Sequence, residues 1–313
     1  MISIIFGKTK PINYIIVLTF LFIFYWGVHF FLFGRIYASP QLLQNMLVLG
    51  ALLFSIFLVN FIVKRNKVTG SNSFSILFYV LLTVVFPETL LDSNAILCSF
   101  FLLLATRRLI SMRSSRETKF KIFDATIWVL VSSLFYDWAI LFLILVFAAI
   151  YFYAPKNIRN WLVPFAGLFA VYMVTKCILI LAGHEEFLVE HYQLHFSFDV
   201  GYFSYWGHST KLILFASVTF LTGLLAFLKL GKSGFGRVVT MRLIAFSFVI
   251  GLVVNLLKLS DNVYPVMIAF FPAVVFMTKY IESIRRAHIK EIVLIAAIVV
   301  PFLVLLGSIA IEP

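Results

Sequence analysis

Two carboxylates stand four residues apart in the stretch VFPETLLDSNA, residues 85–95, and no other acid precedes Glu117. Glu88 and Asp92 share one face if the stretch is helical. At the edge of an apolar phase a carboxylate is partly desolvated and its pKa rises, which suits a general base or a metal ligand. These two are the candidate catalytic residues. A plainer reading of the same letters is a solvated turn in which Asp92 or Ser93 caps a following helix.

A second constellation lies in GHEEFLVEHYQLHFSFDVGYFSYWGHST, residues 183–210. His184, His191 and His195 are spaced seven and four apart, one helical face, with Glu185, Glu186 and Glu190 beside them. Imidazole and carboxylate at such spacing can hold a divalent metal. The order is not HExxH, however, and an amphipathic helix lying in a membrane interface explains the same pattern. Asp137, Lys258 and Asp261 are ionisable groups close to apolar runs, candidate substrate-binding residues or surface anchors. Arg35 stands alone in GRIYASPQ, placed either to hold a phosphate of a lipid carrier or simply in water. GKSGFG at 231–236 is inverted relative to a phosphate-binding loop and reads as a linker.

The elements that must position these groups are apolar. Of 313 residues, 63% are hydrophobic and 12% charged, about half the charged share of an ordinary soluble domain. Apolar runs cover 12–33, 42–63, 73–87, 93–111, 122–136, 138–154, 161–182, 210–229, 242–257, 263–280 and 292–311. A helix of about 20 such residues crosses a bilayer core. The expectation is an all-α, polytopic membrane protein of about eleven helices, one transmembrane domain over 1–313 with an outer loop at 183–209. Lys8 and Lys10 precede a first run too long for a cleavable signal segment. Cys98 and Cys177 both fall inside runs, so no structural disulfide is expected.

Charge orients the chain. With the N-terminus inside, all 25 basic residues except Arg35, Lys176, Lys211 and Lys258 fall on the inner side. Glu88, Asp92, Asp137, Glu185, Glu186, Glu190, Asp199, Asp261 and Glu312 fall outside. The net charge of +12 therefore reflects topology and gives no reason to expect nucleic acid. The same parity divides 122–154 into two short helices meeting at Asp137, which it sets at the outer surface.

FPETLLDSNAILCSFFLLLATRRLISM followed by DATIWVLVSSLFYDWAILFLILVFAAIYF resembles the middle of GT-C-type membrane glycosyltransferases of the mannosyl- and aminoarabinosyl-transferase kind. LKLSDNVYPVMIAFFPAVVFMTKYI is similar to a later segment of those enzymes that carries a lysine, a tyrosine and prolines. The resemblance covers about a third of the chain. It implies transfer of a sugar from a polyprenyl-phosphate donor at the outer face of a bacterial inner membrane, with Arg35, Lys258 and Tyr264 on the donor. Those enzymes carry an acid in a long first outer loop; here that loop is short and has none. The competing expectation is a non-catalytic membrane subunit or scaffold of an envelope complex, with a membrane-protein partner. The whole chain also resembles a polytopic inner-membrane family of Bacteroidota, which implies that membrane and no particular activity.

Overall fold

The computed structural model describes residues 2–114, 116–193, 206–232, 234–258 and 265–311. Among them there are helices and no strand. A short α1 (Ile2–Phe6) precedes α2 (Pro11–Gly27), which ends in a π turn, Val28–Leu32. Then come α3 (Ser39–Arg65), α4 (Phe74–Val85), α5 (Ser93–Ser111), α6 (Thr118–Ser133), α7 (Leu143–Tyr153) and α8 (Ile158–Ala182). They are followed by α9 (Phe187–His191), α10 (Trp206–Leu228), α11 (Phe235–Leu257), α12 (Phe270–Ser283) and α13 (Ala287–Ile311).

Eight stretches among the described residues are long and apolar enough to cross a membrane, including Pro11–Leu32, Ser39–Arg65 and Ser93–Ser111. The chain is thus an all-α, multi-pass membrane protein by length and composition. The runs read at 73–87 and 138–154 are helical but shorter, and that at 122–136 lies largely within the 16 residues of α6.

Burial shows which helix is central. α4, FSILFYVLLTVV, carries no charge, and every residue from Phe74 to Val84 is buried. A helix apolar all round belongs in a protein interior or a membrane, and here its residues are buried among other helices and beside an apolar cavity. At 12 residues it is only about 18 Å long. One of its buried hydroxyls turns inward on the backbone: Thr83 Oγ1 donates to the Val80 carbonyl at 2.7 Å. Ser132 and Ser133 of α6 do the same to Val129 and Leu130 at 2.6 and 2.7 Å, which satisfies them where no water is at hand.

One core joins α2, α3, α4 and α12; a second joins α5, α6, α7 and α11. At the half-buried edge of that second core Phe101 stacks on Trp128 and Phe135 at 5.7 and 5.6 Å. α8 is equally apolar but peripheral, burying only Asn160, Pro164 and Gly167. Gly167 allows it to approach α6: a Cβ there would meet Thr126 Cγ2 at 2.9 Å. At the opposite end of the chain Glu291 of α13 accepts from the Ile2 and Ser3 amides at 2.6 and 3.2 Å and from the Ser3 hydroxyl. The Ser73 amide donates to the Phe6 carbonyl at 2.8 Å, so α1 is strapped to both α13 and the start of α4.

α6 and α7 are separate helices, joined by a 3-10 turn from Asp137 to Phe142. Asp137 is not at the surface, though. It is 4% exposed, because a lysine from α11 reaches it inside the bundle.

Candidate functional site

Pro87 builds the turn that carries the two carboxylates. Its ring disfavours helix at the preceding residue; Phe86 sits at φ −121°, ψ 68°, and α4 stops at Val85. Pro87–Leu90 form one 3-10 turn, and Asp92 starts α5 by accepting from the Ala95 amide through Oδ1 at 3.0 Å. Asp92 is therefore the helix cap that the plainer reading foresaw, and its second oxygen accepts from the Tyr136 hydroxyl.

Glu88 points into the protein. Its Oε1 lies 3.0 Å from Lys211 Nζ of α10, with 11% of the Glu88 side chain and 10% of the Lys211 side chain exposed. Lys258 Nζ, at the end of α11, lies 3.2 Å from Asp137 Oδ1. His29, in the π turn, is buried, and its Nε2 is 3.1 Å from the Leu90 carbonyl. A carbonyl only accepts, so Nε2 carries the hydrogen, and in the neutral ring Nδ1 accepts from the Tyr37 hydroxyl. His191 Nε2 donates to the Ser133 carbonyl at 2.8 Å, and the Tyr192 and Ser133 hydroxyls meet at 2.7 Å. Burial raises the Tyr192 phenol above its ordinary pKa, so it remains a hydroxyl. A belt of polar contacts thus crosses one end of the bundle, from the π turn through the Pro87–Leu90 turn to the end of α9.

Beneath this belt α4, α10, α12 and α13 line an apolar cavity of about 680 Å³, within the range of small-ligand sites. Val85, Lys211 and Ser308 lie at the belt end; Phe78, Thr222, Tyr280 and Val293 lie toward the other. The lining runs for roughly 20 Å along these helices. Lys211 is the one charged side chain among the described lining residues. The ion pair with Glu88 is therefore the polar head of a long greasy slot.

Two carboxylates expected from the sequence are thus paired with lysines, Glu88 with Lys211 and Asp137 with Lys258. Asp92 accepts from Tyr136, the residue that precedes Asp137 in the chain. Arg35 is exposed, in a loop closed by its own amide on the His29 carbonyl at 2.9 Å. The histidine face is not formed as expected. Gly183 takes φ +73° and ends α8, the His184 amide returns to Leu179 at 2.9 Å, and α9 spans five residues only. His184 and His191 consequently do not share a helix, and no group of three metal-binding side chains occurs among the described residues. His195, Asp261 and Tyr264 lie outside those residues.

Sequence reasoning missed His29, Tyr37, Tyr136 and Ser133. Lys211 left a signal: it is one of four cations that break the inner-side rule. The structure gives three of the four a partner in the belt or the adjoining loop, since Lys176 Nζ also donates to the Glu185 carbonyl at 2.9 Å. No family model, curated protein or solved structure matches this chain.

Proposed function

We propose that this protein holds a polyprenyl-phosphate-linked sugar and transfers the sugar at the outer face of a bacterial inner membrane. The observation that supports it is Lys211 at the end of the apolar cavity. A lipid tail fits a slot walled mostly by apolar side chains, and a buried cation at its mouth suits the phosphate that heads such a tail. In this reading all eleven helical runs cross the membrane, the N-terminus is cytoplasmic, and the polar belt faces outward. The excess of lysine and arginine at the other end supports that orientation.

The chemistry assigned to the site balances with its own groups. The bond between the sugar's anomeric carbon and the phosphate oxygen breaks, and an acceptor oxygen bonds to that carbon. Glu88 takes the acceptor's proton, and Lys211 moves its charge toward the phosphate that leaves. Asp92 positions the turn by capping α5 and holding Tyr136. A divalent metal at Glu88 would serve the same departure; the described histidines do not assemble to hold one.

Native mass spectrometry of the purified protein tests this with undecaprenyl phosphate, undecaprenol and phosphatidylcholine. The phosphorylated prenyl lipid should bind best. Lys211→Met should weaken it ten- to a hundredfold, the worth of a charge-assisted hydrogen bond. Ala297→Phe, which fills the slot, should weaken all prenyl ligands. Equal retention of undecaprenol and its phosphate overturns the assignment of Lys211. Sugar release is then followed in Glu88→Gln, which should bind the donor and fail to transfer. A second reading, a non-catalytic membrane subunit, is favoured by Asp92 and Asp137 already serving structural contacts. Full complementation of a deletion by Glu88→Gln decides for it.

A further inference from the structure

We propose a second lipid site, at the opposite end of the bundle from Glu88, where Arg65 and Arg107 hold the phosphate headgroup of an anionic phospholipid. Phe54, Phe57, Phe61 and Arg65 follow one another on α3 at spacings of three, four and four, a single helical face. The three rings are exposed, at 52, 46 and 36%, on a helix apolar enough to cross a membrane. Phe100 of α5 widens the stripe, 6.0 Å from Phe54. At its end two guanidinium groups meet one ring: Arg65 Cζ is 5.4 Å and Arg107 Cζ 4.9 Å from the centre of Phe61.

Neither Arg65 nor Arg107 has a carboxylate partner among the described residues, and the nearby Asp124 is taken by Arg108 at 2.8 Å. Arg107 is partly buried and has Arg65 and Arg108 for neighbours, all of which weigh against a bare cation, so an anion there would offset them. A guanidinium fork matches paired phosphate oxygens. Basic groups at the ends of spanning helices attract anionic headgroups. The stripe argues for a lipid over free phosphate, because it runs from the guanidinium groups along a bare apolar face where an acyl chain can lie. This site is separate from the cavity, which other helices line, and stands whether or not the proposed transfer does.

The test compares phosphatidylglycerol with phosphatidylcholine in mixed micelles, read by native mass spectrometry of the full chain. Phosphatidylglycerol should be retained preferentially. Arg65→Gln/Arg107→Gln should lower that affinity about 30-fold, the attraction of two surface cations. Arg285→Gln/Arg286→Gln, which removes two cations elsewhere, should leave it unchanged. Equal loss in both double variants would mean diffuse charge and overturn the site. So would inorganic phosphate displacing the lipid completely at millimolar concentration, which marks an anion site without a tail. Should the glutamine pair fail to fold, Arg65→Lys/Arg107→Lys keeps both charges and loses the forks. It should bind several-fold more weakly, and unchanged binding counts against the proposal.

Discussion

Glu88 and Lys211 are nearly buried and 3.0 Å apart, so removing either takes a close opposite charge from the other. Glu88→Gln or Lys211→Met alone should cost about 3 kcal/mol, whereas the double substitution should recover most of that loss. Thermal unfolding in detergent of the two single variants and the double one measures it; additive losses would mean that the pair is not coupled. Asp92 differs, because its work is local. Asp92→Ala should cost about 1–2 kcal/mol, chiefly the cap, and Asp92→Asn much less, since the amide oxygen still accepts from Ala95. Spacing in the sequence drew attention to both acids, and the cap was written in the Asp-Ser-Asn start of α5. Their partners were not readable there. Lys211 lies 123 positions from Glu88, and Tyr136 lies 44 from Asp92. Only the folded packing brings them together.

At the scale of elements, hydrophobic run length located nearly every long helix, because a membrane core demands it. The short ones were legible as helices but not as to place. α4 is the buried centre of its core, and composition alone does not separate a central apolar helix from a lipid-facing one such as α8. What distinguishes them is coverage by other helices, since α4 buries every residue from Phe74 to Val84 and α8 only Asn160, Pro164 and Gly167. Gly167 brings α8 onto α6 with no room for a further carbon beside Thr126. Gly167→Val should therefore destabilise the protein by about 1–3 kcal/mol, and Thr126→Ser, which removes the Cγ2 in the way, should restore part of it. Chemical denaturation of the single and double variants checks this. The histidine face failed for a similar reason: periodicity assumed an unbroken helix, while a left-handed Gly183 turned the chain first.

On the scale of the whole molecule, a polar belt crosses one end and a clasp closes the other. The clasp joins distant parts of the chain, since Ser3 and Glu291 are 288 positions apart. Glu291→Ala should leave the belt and cavity intact while exposing α1. Limited proteolysis should cut within residues 2–10 of that variant faster than in the unaltered protein, with ligand binding unchanged. The clasp also gives this protein a sense of time during its synthesis. A ribosome adding about 5–20 residues per second reaches Glu291 roughly 15–60 s after Ser3. Until α13 is in place, the amides of Ile2 and Ser3 have no carboxylate to meet. α1 can meet the start of α4 first, through the Phe6 carbonyl and the Ser73 amide, and its second fastening waits for α13.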